Sequence, residues 1–278
     1  MSAMATELRG KVIVITGGAQ GIGATTAAAL ARLGARIAIA DIDHVRAEKT
    51  AGELGGDVIA LPLDVTDAKA FAGFLDEVER RLGPIDVLIN NAGVMLLAPL
   101  EEEDDAATTR QLEINLHAVI HGTREAIKRM RPRAAGHIVN VASMAGKAGF
   151  PGAATYCATK HAVVGLSEAV RLELRGSGVD ISCVMPAVVR THLADGLPET
   201  KMFKSLRPED VARAIVAVLR QPKFDVFVPW SLDITGRIGR LVPRSVSEWF
   251  VRAVGADKVF ARAQSGARAE YEAKVRRS

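Results

Sequence analysis

The sequence predicts an α/β fold: a doubly wound parallel sheet of seven strands with helices on both faces, followed by a C-terminal helical extension. Three observations predict it. Short β-branched apolar runs alternate with stretches of helical periodicity, a glycine-rich turn lies between the first run and the first helix, and a carboxylate closes the second run. Strands separated by helices run parallel through right-handed crossovers, which puts helices on both faces and directs ligands to the carboxyl ends of the strands.

Residues 11–15 form the first apolar run, 21–33 an alanine-rich helical stretch, and 36–40 a second strand after the stop at Gly34. A helix near 44–54, a strand at 58–61, a helix at 68–82 and a strand at 87–89 continue the alternation. One long helical region from about 102 to 130 leads to a strand at 137–141, a helix at 155–175 and a strand at 180–185. A helix at 208–219 and a seventh strand at 224–228 complete the sheet. Residues 1–230 are expected to form one domain and 231–278 a basic amphipathic tail.

The chain has 278 residues, 49% of them hydrophobic, which is ample for a large core. Cys157 and Cys183 fall in a helix and a strand without metal-ligand spacing, which fits a reduced, cytoplasmic setting. His117, His121, His137, His161 and His192 show no ligand pattern either, so no metal is expected. The first residues lack a basic region followed by an apolar stretch, and no run reaches the roughly eighteen apolar residues of a spanning helix. The expectation is a soluble protein, at most peripheral on a membrane. Of the net charge of +4, the last 48 residues carry ten Lys/Arg against five Asp/Glu, so the basicity resides in the tail. Neither aromatic platforms nor a recognition motif accompany those arginines, which argues against nucleic acid.

Thr16-Gly17-Gly18-Ala19-Gln20-Gly21-Ile22-Gly23 follows the first strand and opens the first helix, the context of a phosphate-binding turn. Glycines permit the tight turn and let backbone N–H groups and the positive helix end approach a pyrophosphate. Asp41 ends the second strand eighteen residues after Gly23, where a carboxylate accepts hydrogen bonds from both adenosine ribose hydroxyls. The same charge repels a 2′-phosphate, and Gln20 rather than a basic residue occupies the turn, so NAD is expected in preference to NADP.

Tyr156 and Lys160 stand four residues apart in a helical stretch, thirteen residues and more after Ser143. That spacing puts a phenol and an ammonium on one helix face, where the cation favours phenolate. A free tyrosine titrates near pH ~10, and bringing it to neutrality requires about 4 kcal/mol of differential stabilisation. Cys157 is turned about 100° away from Tyr156 and is expected to pack rather than react.

Together these residues resemble the short-chain dehydrogenase/reductase family, and the likeness covers about residues 8–228. The matching motifs are the turn at Thr16, Gly17, Gly21 and Gly23, the pair Asp64-Val65, and Asn90-Asn91-Ala92-Gly93. Asn115 within Ile114-Asn115-Leu116, Ser143 within Val141-Ala142-Ser143, Tyr156 and Lys160 match the family's catalytic tetrad. The resemblance implies a Rossmann-like fold and hydride exchange at nicotinamide, with Tyr156 moving the proton, Lys160 holding the nicotinamide ribose and Ser143 holding the substrate oxygen. It further implies that Asn115 supports a water leading to Lys160, that Asp64 and Val65 touch adenine, and that Asn91, Ala92 and Gly93 border the cofactor. Pro186, Val189 and Thr191 match the segment beside the carboxamide, but Ala187 stands where the family has glycine; a positive φ there would strain it.

Segments that border the substrate in family members are apolar in this chain and include Met95, Met144, Phe150 and Val188. Such a lining suits a hydrophobic secondary alcohol or ketone, steroid-like, terpenoid or long-chain. Residues 192–206, with Gly196 and Pro198, are expected to form a movable cover. Alternatives stay open: an NADPH-dependent carbonyl reductase, or a non-catalytic NAD-binding sensor or scaffold. Family resemblance implies a homotetramer or homodimer formed through the 102–130 and 155–175 helices.

In the tail, Ile238, Leu241, Val242, Val246, Trp249, Phe250 and Val254 recur at helical spacing among arginines, and Pro243 divides them into two short helices. This pair could lie on an anionic membrane surface, dock on a second subunit or cap the pocket. Residues 261–278, charged and alanine-rich, are expected to be a frayed exposed helix.

Overall fold

The computed structural model describes residues 7–197, 205–231 and 265–277. Among these, seven strands form one parallel sheet: β1 (Val12–Thr16), β2 (Arg36–Asp41), β3 (Val58–Pro62), β4 (Val87–Asn90), β5 (Gly136–Val141), β6 (Val179–Pro186) and β7 (Asp225–Val228). Their order is β3-β2-β1-β4-β5-β6-β7. The chain starts at β1, winds outward through β2 to β3, then returns past β1 to continue from β4. Val14 of β1 is registered with Ala38 of β2 on one side and Leu88 of β4 on the other. The crevice beyond the β1 and β4 ends is the reversal point of an open sheet, where ligands bind.

Alternate strand residues face opposite sides, and both sides are apolar. Val12, Val14, Leu88 and Ile138 pack on Phe71 and Leu75 of α3 (Ala68–Leu82), Met130 of α5 (Ala118–Met130) and Val170 of α6 (Ala154–Glu173). Ile13, Ile15, Ile89 and Val139 meet Leu30 of α1 (Gly21–Ala31), Ala47 of α2 (His44–Leu54) and Ile215 of α7 (Pro208–Arg220). Aspartates begin three helices: Asp43 accepts from Arg46 N at 3.2 Å, Asp67 from Lys69 N at 2.8 Å, and Asp104 from Ala107 N at 2.7 Å at the head of α4 (Asp105–Leu112).

The predicted single helix from about 102 to 130 is interrupted. A 3-10 turn at Leu100–Glu102 precedes α4, and a π turn at Glu113–His117 joins α4 to α5. The π turn holds Asn115, which is fully buried against the loop after β4. The tail also departs from expectation. Helix α8 (Ser265–Arg277) is docked rather than frayed, with Arg268 and Val275 buried. The 238–254 pattern, with its division at Pro243, and residues 198–204 of the expected cover lie outside the described residues. Among the described residues no helix is long and apolar enough to cross a membrane.

Candidate active site

The glycine turn is held by the strand ends around it. Thr16 Oγ1 accepts from the N–H groups of Asn91 at 3.0 Å and Ala92 at 3.1 Å, and Asn91 Nδ2 donates back to the carbonyls of Thr16 at 2.9 Å and Gly17 at 3.1 Å. Gly17 has φ +65°, and a Cβ there would lie 2.9 Å from Ala92 Cα. A Cβ on Gly23 would lie 2.2 Å from the Gly17 carbonyl oxygen, so only bare backbone fits this close crossing. Unlike α2, α3 and α4, helix α1 has no side-chain cap: Gln20 makes no capping bond, and no acidic residue lies in its first turn. Its first N–H groups and its positive end therefore stay open to an anion.

Asp41 sits at the end of β2 with Oδ2 accepting from Ala19 N and Oδ1 from Asp43 N, both at 3.0 Å. Each oxygen keeps acceptor capacity for a ribose hydroxyl. Asp64 follows β3 and binds Thr66 through Oδ1, beside the buried Val65. Uncapped helix, glycine turn and strand-end carboxylate together fit a dinucleotide.

At the other end of the crevice Ser143, Tyr156 and Lys160 line one cavity of about 100 Å³. Ser143 follows β5 in extended conformation and caps the 3-10 turn Met144–Gly146 by accepting from Ala145 N at 3.1 Å. Its hydroxyl also acts on the Tyr156 phenol, favouring the ionised form. Burial pushes the Tyr156 phenol well above its usual value, opposed by the Ser143 hydroxyl and by the charge of Arg268. Lys160 is held down at about 8 by burial; its ammonium donates to Val141 O at 3.1 Å and lies 5.7 Å from the Tyr156 ring centre. That carbonyl uses one of its three donors, and the cavity borders the same group. Asn115 spends its side chain on the loop after β4: Oδ1 accepts from Val94 N and Nδ2 donates to Val94 O, both at 2.8 Å.

Ile22, Asn91, Gly93, Pro186, Val189 and Thr191 of the expected cofactor set line the same cavity. Thr16, Gly17, Gln20, Gly21 and Gly23 belong to the turn beside it, and Ala92 follows β4 against that turn. Met95 and Val188 of the expected substrate set line it too, joined by Leu193 and Leu197. Met144 and Phe150 do not. Met144 turns into the 3-10 segment, and Phe150 packs behind the wall with Met95, Tyr156 and Cys157. Ala187 is unstrained: among the described residues Ala134 is the one non-glycine with positive φ, and Ala187 N donates to Val228 O at 2.9 Å.

Sequence reasoning missed the contribution of α8. Arg268, Tyr271, Glu272 and Val275 recur at steps of three, one and three, a single helical face, and that face meets the cavity wall. A face carrying the stretch's lone aromatic residue was the available signal. Gln111, fully buried and bonded to Leu96 N at 3.1 Å, was likewise unforeseen.

Residues 11–202 match the short chain dehydrogenase family. The chain belongs to that family, and it is an oxidoreductase acting on CH–OH groups with a nicotinamide cofactor. A D-threitol dehydrogenase of Mycolicibacterium smegmatis is 40% identical over 209 residues, covering 73% of this chain and 80% of its own. A 3-alpha-(or 20-beta)-hydroxysteroid dehydrogenase of Mycobacterium tuberculosis is 33% identical, covering 77% and 84%. Among solved structures, a short chain dehydrogenase/reductase from Burkholderia phymatum in complex with NAD superposes with a TM-score of 0.78 at 29% identity, covering 84% of this chain and 93% of that one.

Proposed function

We propose that this oxidoreductase uses NAD and exchanges a hydride with a hydrophobic secondary alcohol or ketone. The observation that carries the reading is the shared cavity: Ser143, Tyr156 and Lys160 meet there, and its remaining wall is apolar through Met95, Val188, Leu193 and Leu197. Nicotinamide, when bound, accepts or gives the hydride. Tyr156 takes the proton from the substrate hydroxyl, or returns it, at its phenolic oxygen. Ser143 donates to the substrate oxygen as charge develops there. Lys160 opposes the cost of a phenolate and has donors to spare for the nicotinamide ribose. Asn115 positions the loop after β4, and the π turn around it opens the helical ladder beside Lys160, a feature that suits a bound water.

Asp41 supports NAD over NADP because both its oxygens lie at the β2 end, where a 2′-phosphate would meet a carboxylate. The relatives named above include a steroid and a polyol dehydrogenase, and the apolar wall favours the first class, including terpenoid or long-chain compounds.

The test is absorbance of the reduced cofactor with a panel of lipophilic secondary alcohols and their ketones. Tyr156→Phe is expected to lower turnover by about 10²–10⁴-fold with NAD affinity within about twofold of wild type. Undiminished turnover in that variant refutes the assignment.

A further inference from the structure

The loop after β4 forms one wall of the cavity yet has no regular structure, so its backbone groups need partners from elsewhere. Val94 is served on both sides by Asn115, and Leu96 N by Gln111. Asn91 N and Ala92 N are held by Thr16 and Ala98 N by Gly152 O, and α8 serves the residues between. Met95 N donates to the Tyr271 hydroxyl at 3.1 Å, Leu97 N donates to Glu272 Oε1 at 3.2 Å, and the Arg268 guanidinium donates to Met95 O.

The same guanidinium donates to Leu193 O at 2.8 Å, on the 3-10 turn His192–Ala194 that forms the opposite wall. Its Nε is held by Glu272 at 2.8 Å, and its Cζ lies 4.8 Å from the Tyr271 ring centre. Arg268 is 4% exposed, and among the described residues its guanidinium is held by two carbonyls and one carboxylate. Met95 and Leu193 both line the cavity that holds Tyr156. One side chain thus spans from wall to wall.

We propose that α8 is a constituent of the substrate site and that Arg268 and Tyr271 are positioning residues, which clasp the Met95 and Leu193 walls together and so determine the size of alcohol or ketone accepted. The inference rests on the dehydrogenase reading for its substrate class. At about 100 Å³ the clasped cavity is smaller than the roughly 300 Å³ that a drug-sized ligand needs. The clasp fixes the span between the Met95 and Leu193 walls and with it the bulk that fits between them.

Arg268→Gln and Tyr271→Phe, made in the full-length chain, test this with NAD itself and a series of secondary alcohols of increasing bulk. Arg268→Gln is expected to shift KM across the series by about tenfold, relaxing discrimination by size, with the NAD dissociation constant within about twofold. Tyr271→Phe leaves one N–H unpartnered and is expected to give a change of about threefold in the same direction. Arg268→Lys, which can bind one carbonyl but cannot span both walls, should restore little.

Amide hydrogen exchange on the apo protein gives a second readout. Faster exchange of Met95 and Leu97 in both variants, with the sheet amides unchanged, supports the clasp. Unchanged exchange and an unchanged size profile overturn it, as does parallel loss of NAD binding and thermal stability, the mark of a general folding role. A wild-type enzyme inert toward the whole panel overturns the substrate reading, and the exchange result still decides the clasp.

Discussion

Lys160 is buried at the cavity without a carboxylate partner among the described residues, and burial holds its pKa at about 8, down from 10.5. A depressed folded value means that this group's contribution to stability is present above about pH 10.5 and lost as pH falls through about 8. Near neutrality the buried charge costs about 3 kcal/mol, offset by about 1 kcal/mol from the bond to Val141. Lys160→Met is therefore expected to unfold at higher urea concentration near pH 7, by about 2 kcal/mol, while losing turnover; a less stable variant would show that the charge is better compensated than its surroundings indicate. At Asp41, Asp41→Ala should narrow the preference for NAD over NADP, read from the ratio of kcat/KM for the two cofactors. The glycine turn and Asp41 were legible because each depends on local geometry: a missing Cβ and a strand-end carboxylate leave their mark in the residue types. The burial of Lys160 was not legible, since it depends on Val141 of β5 and Gly93 of the loop after β4 arriving from elsewhere in the chain.

At the scale of elements, the strands were readable because residues such as Val12, Ile13, Val14 and Ile15 are apolar in succession, as a sheet covered on both faces requires. The π turn at Glu113–His117 was not readable. It exists because Asn115 must reach Val94 across twenty-one positions, a tertiary demand that helical periodicity does not record. Strand β5 carries a further consequence. Its His137 is buried with Nε2 2.8 Å from Ser182 Oγ, and burial depresses its pKa to about 4 from 6.5. The folded value lies below the unfolded one, so stability is intact above pH 6.5 and falls as pH drops toward 4. Urea midpoints measured between pH 7 and 4 should decline by up to about 3 kcal/mol from this group alone, and His137→Gln should flatten that part of the profile.

For the whole molecule, two core layers around one sheet followed from alternation, whereas the docking of α8 did not, because no local rule sets the register of a tail against a distant loop. The helix runs about 20 Å and makes two exposed ion pairs besides its buried contacts: Lys274 to Asp43 at 3.5 Å and Arg276 to Asp104. Those aspartates also cap α2 and α4. Exposed pairs contribute about 0–1 kcal/mol each, so the double variant Lys274→Gln, Arg276→Gln should leave α8 seated, with amide exchange at Met95 slowed as in wild type. Rapid exchange there would mean that surface charge, not Arg268 and Tyr271, fastens the helix.

A practical consequence follows from where α8 lies. A purification handle joined after residue 278 would be carried by α8, the helix whose Tyr271 and Glu272 hold the cavity wall at Met95 and Leu97. Assays meant to reveal the natural substrate are better run on protein tagged at the opposite terminus, or with the handle cleaved away.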